Sequence, residues 1–252
     1  RFTHQHHSLR FLLVVPWTGP HLRRLHERHK EALPSSDAGG GTHIHRHESL
    51  GAPKDAASGG GGGKPPTLEQ RAQTLRPGFE VARLLHELPK PTLAAIPGAA
   101  AGAGLSLALA CDLRIAVDTA KMTTAFAKVG LSGDYGMSYF LPLLVGQSKA
   151  RELLFTAPLV TGAEALELGL INRAVSADDY EAAVQACALD LSQSATVAIG
   201  YMKKNLNSAA TSTLSELLDR EAAHMARCFT TQDHKQAVQA FVAKEAPSFT
   251  GE

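Results

Sequence analysis

The run Ala99-Ala-Ala-Gly102-Ala103-Gly104-Leu-Ser-Leu-Ala-Leu-Ala-Cys111-Asp112 constrains this chain more than any other stretch. It reads as a glycine-broken turn feeding a short apolar helix that stops at a charged residue. Gly102 and Gly104 carry no Cβ, so the backbone there is free to approach a ligand closely. The helix they open directs unpaired N–H groups and the positive end of its dipole back at the turn. Such a terminus suits an oxyanion, either a phosphate or a developing enolate oxygen. The other reading is a tight strand-to-helix turn that packs closely and binds nothing. No Gly-Lys-Ser/Thr follows the glycines, which excludes a P-loop. The second half of Gly-x-Gly-x-x-Gly is missing, which argues against a dinucleotide site.

The flanks extend the pattern. Lys90-Pro-Thr-Leu-Ala-Ala-Ile-Pro-Gly98 reads as a buried strand entering the turn, and Asp112-Leu-Arg-Ile-Ala-Val117 as a second strand leaving the helix. Strand, turn, helix and strand in that order follow β-α-β logic. Pro65-Pro66-Thr67-Leu-Glu-Gln70 opens a helix with Thr67 and Gln70 set as a capping box. That helix runs toward Leu88, and Pro77-Gly78 is expected to break or kink it. Thr161 and Glu164 form another capping box, and Gly169 is expected to stop that helix before a short strand around Ile171. Beyond Ser176 the pattern is helical, with apolar positions at Leu214, Leu217, Leu218 and Met225.

Bulk properties exclude several classes. A length of 252 residues with 44% hydrophobic content is ample for a buried core. The balance of 25 basic and 24 acidic residues leaves a net charge of +1, giving no reason to expect a nucleic-acid or membrane partner. Phe11-Leu-Leu-Val-Val15 is too short to span a bilayer and lacks a signal-peptide cleavage pattern. Cys111, Cys187 and Cys228 are widely spaced and odd in number, and read as reduced core thiols of a cytoplasmic protein.

Taken with Phe126-Ala-Lys-Val-Gly-Leu131-Ser-Gly-Asp134-Tyr-Gly136 and Leu141-Pro-Leu-Leu-Val-Gly146, these blocks resemble the enoyl-CoA hydratase/isomerase (crotonase) family from about Gly59 to Glu252. The resemblance implies an α/β fold: a crotonase-like spiral of ββα units, with two roughly perpendicular sheets and a C-terminal helical trimerisation region. It divides the chain into residues 1–63, atypical and closed by a glycine run, a core over 64–185, and a helical region over 186–252. It implies an acyl-CoA thioester as substrate, with coenzyme A part of the substrate and no separate cofactor, and a homotrimer or hexamer.

By position, the resemblance makes the N–H of Ala103 the second donor of an oxyanion hole, with Gly102 and Gly104 around the thioester. Hydratases of the family use two glutamates to place and activate water, and the matching positions here are Ser106 and Phe126. Neither side chain is a carboxylate base. Asp134 is the acid/base that remains, in a loop where isomerase-type relatives move a proton between two carbons of the acyl chain. Its other reading is an aspartate that shapes the turn. Proton transfer of the isomerase type is therefore favoured over hydration. Tyr135 and Phe126 are placed at the acyl pocket, with Met137 beside them. Phe241 and Lys244 match positions that contact the nucleotide part of coenzyme A, against the plainer reading of a core aromatic and a solvated lysine. Asp112 and Arg114 read as structural.

Residues 1–58 do not share the resemblance. Nine of the 12 histidines lie between His4 and His47, and no methionine precedes Met122. Out-of-frame translation of this segment accounts for both. The family's first oxyanion donor comes from an Ala-Gly-Gly-Asp-type loop, which Ala38-Gly-Gly-Gly-Thr42 does not reproduce. A catalytically inactive member, keeping only oligomerisation or partial coenzyme A binding, is the alternative function. His43, His45 and His47 alternate as on one face of a strand, yet no carboxylate or cysteine framework accompanies them, so no metal is expected.

Overall fold

The computed structural model describes residues 65–252 and, by its backbone, the strand β1, Leu13–Pro16. The Ala38–Thr42 string and the histidine run lie outside the described residues, as does the out-of-frame reading of most of 1–58. A strand at Leu13–Pro16 was not expected from that segment. It lies parallel to β2, Thr92–Ile96, with Leu13 opposite Thr92 and Pro16 opposite Ala95. Proline, which cannot donate to a ladder, sits at its last residue, and among the described residues β1 is the edge of the sheet.

Helix α1, Leu68–Glu87, starts as read: the Thr67 hydroxyl accepts from Gln70 N–H and the Gln70 side chain accepts from Thr67 N–H. Pro77-Gly78 does not break it, and α1 is one continuous helix through both residues. Proline forfeits one ladder bond. Burial of Ala82 and Leu85 in the next two turns holds the helix together beyond it.

Chain order then follows the β-α-β reading. β2 leads through β3, Ala100–Ala101, to α2, Ala103–Ala110, and on to β4, Leu113–Val117. β5, Lys121–Thr123, a 3-10 helix at Phe126–Val129, α3, Met137–Thr156, and β6, Val160–Thr161, come next. The helix α4, Gly162–Glu167, precedes β7, Arg173–Val175. One sheet has the order β1-β2-β4-β7 with every neighbour parallel. The second has the order β3-β5-β6, parallel then antiparallel.

Helix α2 has no polar face, and every residue from Gly104 to Ala110 is buried. A helix apolar all round is stable only when enclosed, and here α1, α3 and β3 enclose it. Leu105, Leu107, Ile96, Met122, Met137, Leu141 and Leu170 are the largest fully buried apolar side chains of this core. α3 bends where Gly146 leaves helical geometry at φ 74° and ψ 163°. The Thr161/Glu164 capping box opens α4, and Gly169, at φ 76°, turns the chain after it. The strand that follows lies at Arg173–Val175 rather than around Ile171, because Ile171 N–H is taken by Ala165 O in the turn.

Four helices complete the chain: α5, Tyr180–Ser192, α6, Thr196–Ala209, α7, Leu214–Phe229, and α8, Gln232–Ala243. Val184 and Cys187 of α5 pack on Leu93, Ala95 and Ile115 of β2 and β4. Asp233 is buried and accepts from the N–H groups of Thr250 and Gly251, which ties the C-terminal tail to α8. All three cysteines are free, but only Cys111 and Cys187 are core residues; Cys228 is partly exposed. Burial pushes the Cys111 thiol up to about 12, so it stays protonated and inert.

Candidate active site

The site grows from the turn between β3 and α2. Gly102 takes φ 51° and ψ −124°, a backbone conformation L side chains rarely adopt. Its N–H donates to Thr123 O at 3.2 Å, which pins the turn to β5. The Phe126 ring closes over it: a Cβ added to Gly102 would stand 3.8 Å from Phe126 Cε1. The carbonyl of Gly102 receives Ser106 N–H at 3.0 Å and the Ser106 hydroxyl at 3.1 Å. Ala103 N–H, the other end of that peptide plane, is the first amide of α2. Helical geometry provides no acceptor for it, and none of the described residues supplies one.

Asp134 reaches the same place from the loop before α3. Gly130, Gly133, Tyr135 and Gly136 all take positive φ, at 67°, 111°, 41° and 79°. Tyr135 is the one non-glycine among these four, and its left-handed backbone is a local strain. Met137 N–H closes the loop on Asp134 O at 2.9 Å. The result sets Asp134 Oδ1 3.1 Å from the Ser106 hydroxyl. Burial raises the Asp134 carboxyl above the ordinary aspartate value, and the Ser106 hydrogen bond opposes that rise. Tyr135 is raised as well, by burial and then by the neighbouring Asp134 charge. Its ring meets Phe79 edge-on at 5.0 Å. Phe79 also lines an open cavity of about 520 Å³ along α1, with Ala72, Gln73, Leu75 and Arg76.

Of the residues singled out from the sequence, the structure therefore brings together Gly102, Ala103, Gly104, Phe126, Asp134 and Tyr135. Phe241 and Lys244 are not brought to them within this chain. They end α8, Phe241 is 84% exposed, and Lys244 is the left-handed C-cap. The core reading of Phe241 is thus corrected: its ring lies on the surface.

Asp112 and Arg114 are structural, as read. Asp112 accepts from the N–H and hydroxyl of Thr92, and Arg114 donates to the carbonyls of Leu170 and Cys111. The sequence reading missed Lys203, which is buried and directs its ammonium at Leu85 O, Lys90 O and Asp112 Oδ2 at 2.9, 3.3 and 2.7 Å. It also missed Ser106 as a partner of Asp134 and saw it only as the place of an absent glutamate. Among the described residues no group of three or more His, Cys, Asp or Glu side chains is arranged to hold a metal. Nor is any described helix long and apolar enough to cross a membrane.

A glycine turn, an enclosed apolar helix whose first amide finds no acceptor among the described residues, and a half-buried carboxyl 3.1 Å from the Ser106 hydroxyl lie together here. The profile of the enoyl-CoA hydratase/isomerase family matches residues 57–252, and the chain belongs to that family. It is 37% identical over 171 residues to 1,2-epoxyphenylacetyl-CoA isomerase of Escherichia coli K12, covering 68% of this chain and 65% of that one. It is 33% identical over 172 residues to crotonyl-CoA hydratase of Syntrophomonas wolfei, covering 68% and 66%. The chain thus spans just under two thirds of the length of these relatives. Among solved structures, an enoyl-CoA hydratase from Polaromonas sp. JS666 superposes with a TM-score of 0.68 at 34% identity, over 72% of this chain and 71% of that one. An enoyl-CoA hydratase/isomerase from Cupriavidus metallidurans CH34 does so with 0.70 at 31% identity, over 73% and 70%. The crotonase fold expected from the sequence is the fold observed.

Proposed function

We propose that the protein shifts a carbon–carbon double bond in an acyl-CoA thioester, with Asp134 as the proton-transfer group and Ala103 N–H as an oxyanion donor. One observation carries the reading: the Asp134 carboxylate lies 3.1 Å from the Ser106 hydroxyl beside the turn, and the family resemblance puts Ser106 and Phe126 at the positions of a hydratase's two glutamates. A double-bond shift needs one acid/base, because the proton removed from one carbon is returned at another. Water addition needs a group to place and activate water, and Phe126 has no polar atom with which to do so.

In this mechanism the thioester carbonyl accepts from Ala103 N–H. Ionised Asp134 takes a proton from the acyl chain, the electron pair moves onto the thioester oxygen, and the fixed amide favours the resulting enolate over the ground state. Protonated Asp134 then returns the proton two carbons away, and no proton is gained or lost. A carboxyl whose pKa is raised by burial serves both halves, since it is a stronger base when ionised and releases its proton again. Gly102 and Gly104 admit the thioester, Tyr135 and Phe126 wall the acyl chain, and Phe241 with Lys244 receives the coenzyme A nucleotide at the surface, an aromatic for the base and a cation for phosphate. The chemistry calls for no cofactor beyond the coenzyme A of the substrate. The protein works as a homotrimer or hexamer in the cytoplasm.

The isomerase relative is named for an epoxyphenylacetyl-CoA and not for a double-bond shift, and the hydratase relative names the competing reading. Incubation with a 3-enoyl-CoA, followed through the ultraviolet absorbance of the conjugated thioester, tests it. Conjugation lost in Asp134→Asn is the expected outcome; unchanged turnover in that variant refutes the role.

A further inference from the structure

The Ser106 hydroxyl has one proton and two acceptors. Gly102 O and Asp134 Oδ1 each lie 3.1 Å from Ser106 Oγ, and Ser106 is fully buried, so water does not compete for that proton. The two acceptors are not equivalent in time. An ionised carboxylate makes a hydrogen bond roughly twice as strong as a neutral acceptor, and it loses that advantage once protonated. The amide carbonyl of Gly102 stays neutral throughout.

Resting on the reading of Asp134 as base and Ala103 as oxyanion donor, we infer that Ser106 is a positioning residue whose hydroxyl switches from Asp134 to Gly102 O when Asp134 takes up a proton. Gly102 O and Ala103 N–H are the two ends of one peptide plane. A second hydrogen bond into Gly102 O, beside the one from Ser106 N–H at 3.0 Å, polarises that plane and makes Ala103 N–H a better donor. Proton abstraction by Asp134 therefore strengthens the oxyanion donor at the moment the enolate exists. Reprotonation of the product restores the carboxylate, draws the hydroxyl back and weakens the donor for release. The hydroxyl proton only rotates; the transferred proton stays on Asp134 until it returns to carbon. Two facts support a balanced switch: burial raises the Asp134 carboxyl, and the Ser106 bond pulls it back toward the carboxylate.

The direct test is nuclear magnetic resonance on the full-length protein without ligand, with carbonyl-13C glycine and 15N alanine. Gly-Ala pairs occur at Gly51-Ala52, Gly98-Ala99, Gly102-Ala103 and Gly162-Ala163, so four amides are selected and Ala103 is assigned by its loss in Ala103→Val. In the wild type the Ala103 amide proton moves downfield as pH falls through the Asp134 titration, which is followed separately by its carboxyl band in the infrared. In Ser106→Ala that movement is expected to shrink to less than about half, while the Asp134 titration moves upward by about one pH unit for loss of a charge-assisted bond. Ser106→Thr, which keeps a hydroxyl, restores both, and Asp134→Asn abolishes the movement.

An Ala103 response of equal size in Ser106→Ala means the carboxylate acts only through its field, and overturns the switch. So does an Ala103 amide that does not move with Asp134 in the wild type. Turnover separates the two layers. Under the switch, Ser106→Ala lowers kcat about tenfold with KM little changed, while Asp134→Asn alone decides whether the base assignment stands.

Discussion

At Asp134, burial raises the carboxyl pKa and the Ser106 hydroxyl lowers it, burial being the larger cause. Turnover by an ionised base is then expected to rise with pH through a value above that of an ordinary aspartate, and a pH–rate profile of kcat/KM reads this directly. The same shift bears on stability. A carboxyl whose folded pKa exceeds its unfolded value binds its proton more tightly in the folded state. Stability is therefore greatest below the unfolded pKa and declines as pH rises through the folded one. Asp134→Asn should accordingly raise Tm at neutral pH, and the gain should vanish in acid. Thermal melts at two pH values check it, and a fall in Tm at neutral pH would contradict it. At this scale the sequence disclosed residue types and not their meetings. Gly102 was legible as a turn because glycine tolerates positive φ, while the roles given to Ala103 and Asp134 came from the family resemblance and not from residue type. The Ser106–Asp134 bond spans 28 residues of chain and exists only through the packing of α2 against α3.

Among the elements, those defined by local hydrogen bonds were the most legible. The capping boxes at Thr67/Gln70 and Thr161/Glu164 form as read, and the same signal at Thr213/Glu216 opens α7. α1 runs through Pro77 although every residue from Leu68 to Gly78 is exposed, with the Thr67 capping box before the proline and the Arg76–Glu80 pair spanning it. The join between α1, β2 and α6 was illegible because it depends on Lys203, a lysine among polar neighbours in sequence that folding buries. Its ammonium serves two carbonyls and the Asp112 carboxylate. Lys203→Met would leave those acceptors without their donor, and the expected loss is about 3 kcal/mol, measured by urea denaturation. A second close contact lies where α4 meets β4. A Cβ on Gly162 would fall on the carbonyl oxygen of Val117, a backbone atom that cannot swing aside. Gly162→Ala should therefore cost at least about 2 kcal/mol, and an unchanged melting temperature would contradict that packing.

For the whole molecule, the described residues bury the α2 helix from Gly104 to Ala110 and leave the turn before it partly open, while the C-terminal helices carry apolar faces outward. Helix α7 has no buried residue, and Leu214, Leu218, Met225 and Phe229 recur along it at helical spacing, each more than half exposed. A face of this kind calls for a partner, and assembly into the proposed trimer or hexamer would supply one. Leu218→Asp is expected to shift the mass measured by light scattering after size exclusion from the oligomer to the single chain. A wild-type protein that elutes as a single chain would contradict the assembly. Most direct for the central claim is a comparison of wild type and Asp134→Asn on a 3-enoyl-CoA, with products resolved by chromatography. The account expects the wild type to form the conjugated 2-enoyl-CoA, and Asp134→Asn to lose about 1,000-fold or more in kcat with a similar KM. Formation of a hydroxyacyl-CoA instead, or a rate in Asp134→Asn equal to the wild type, would contradict it.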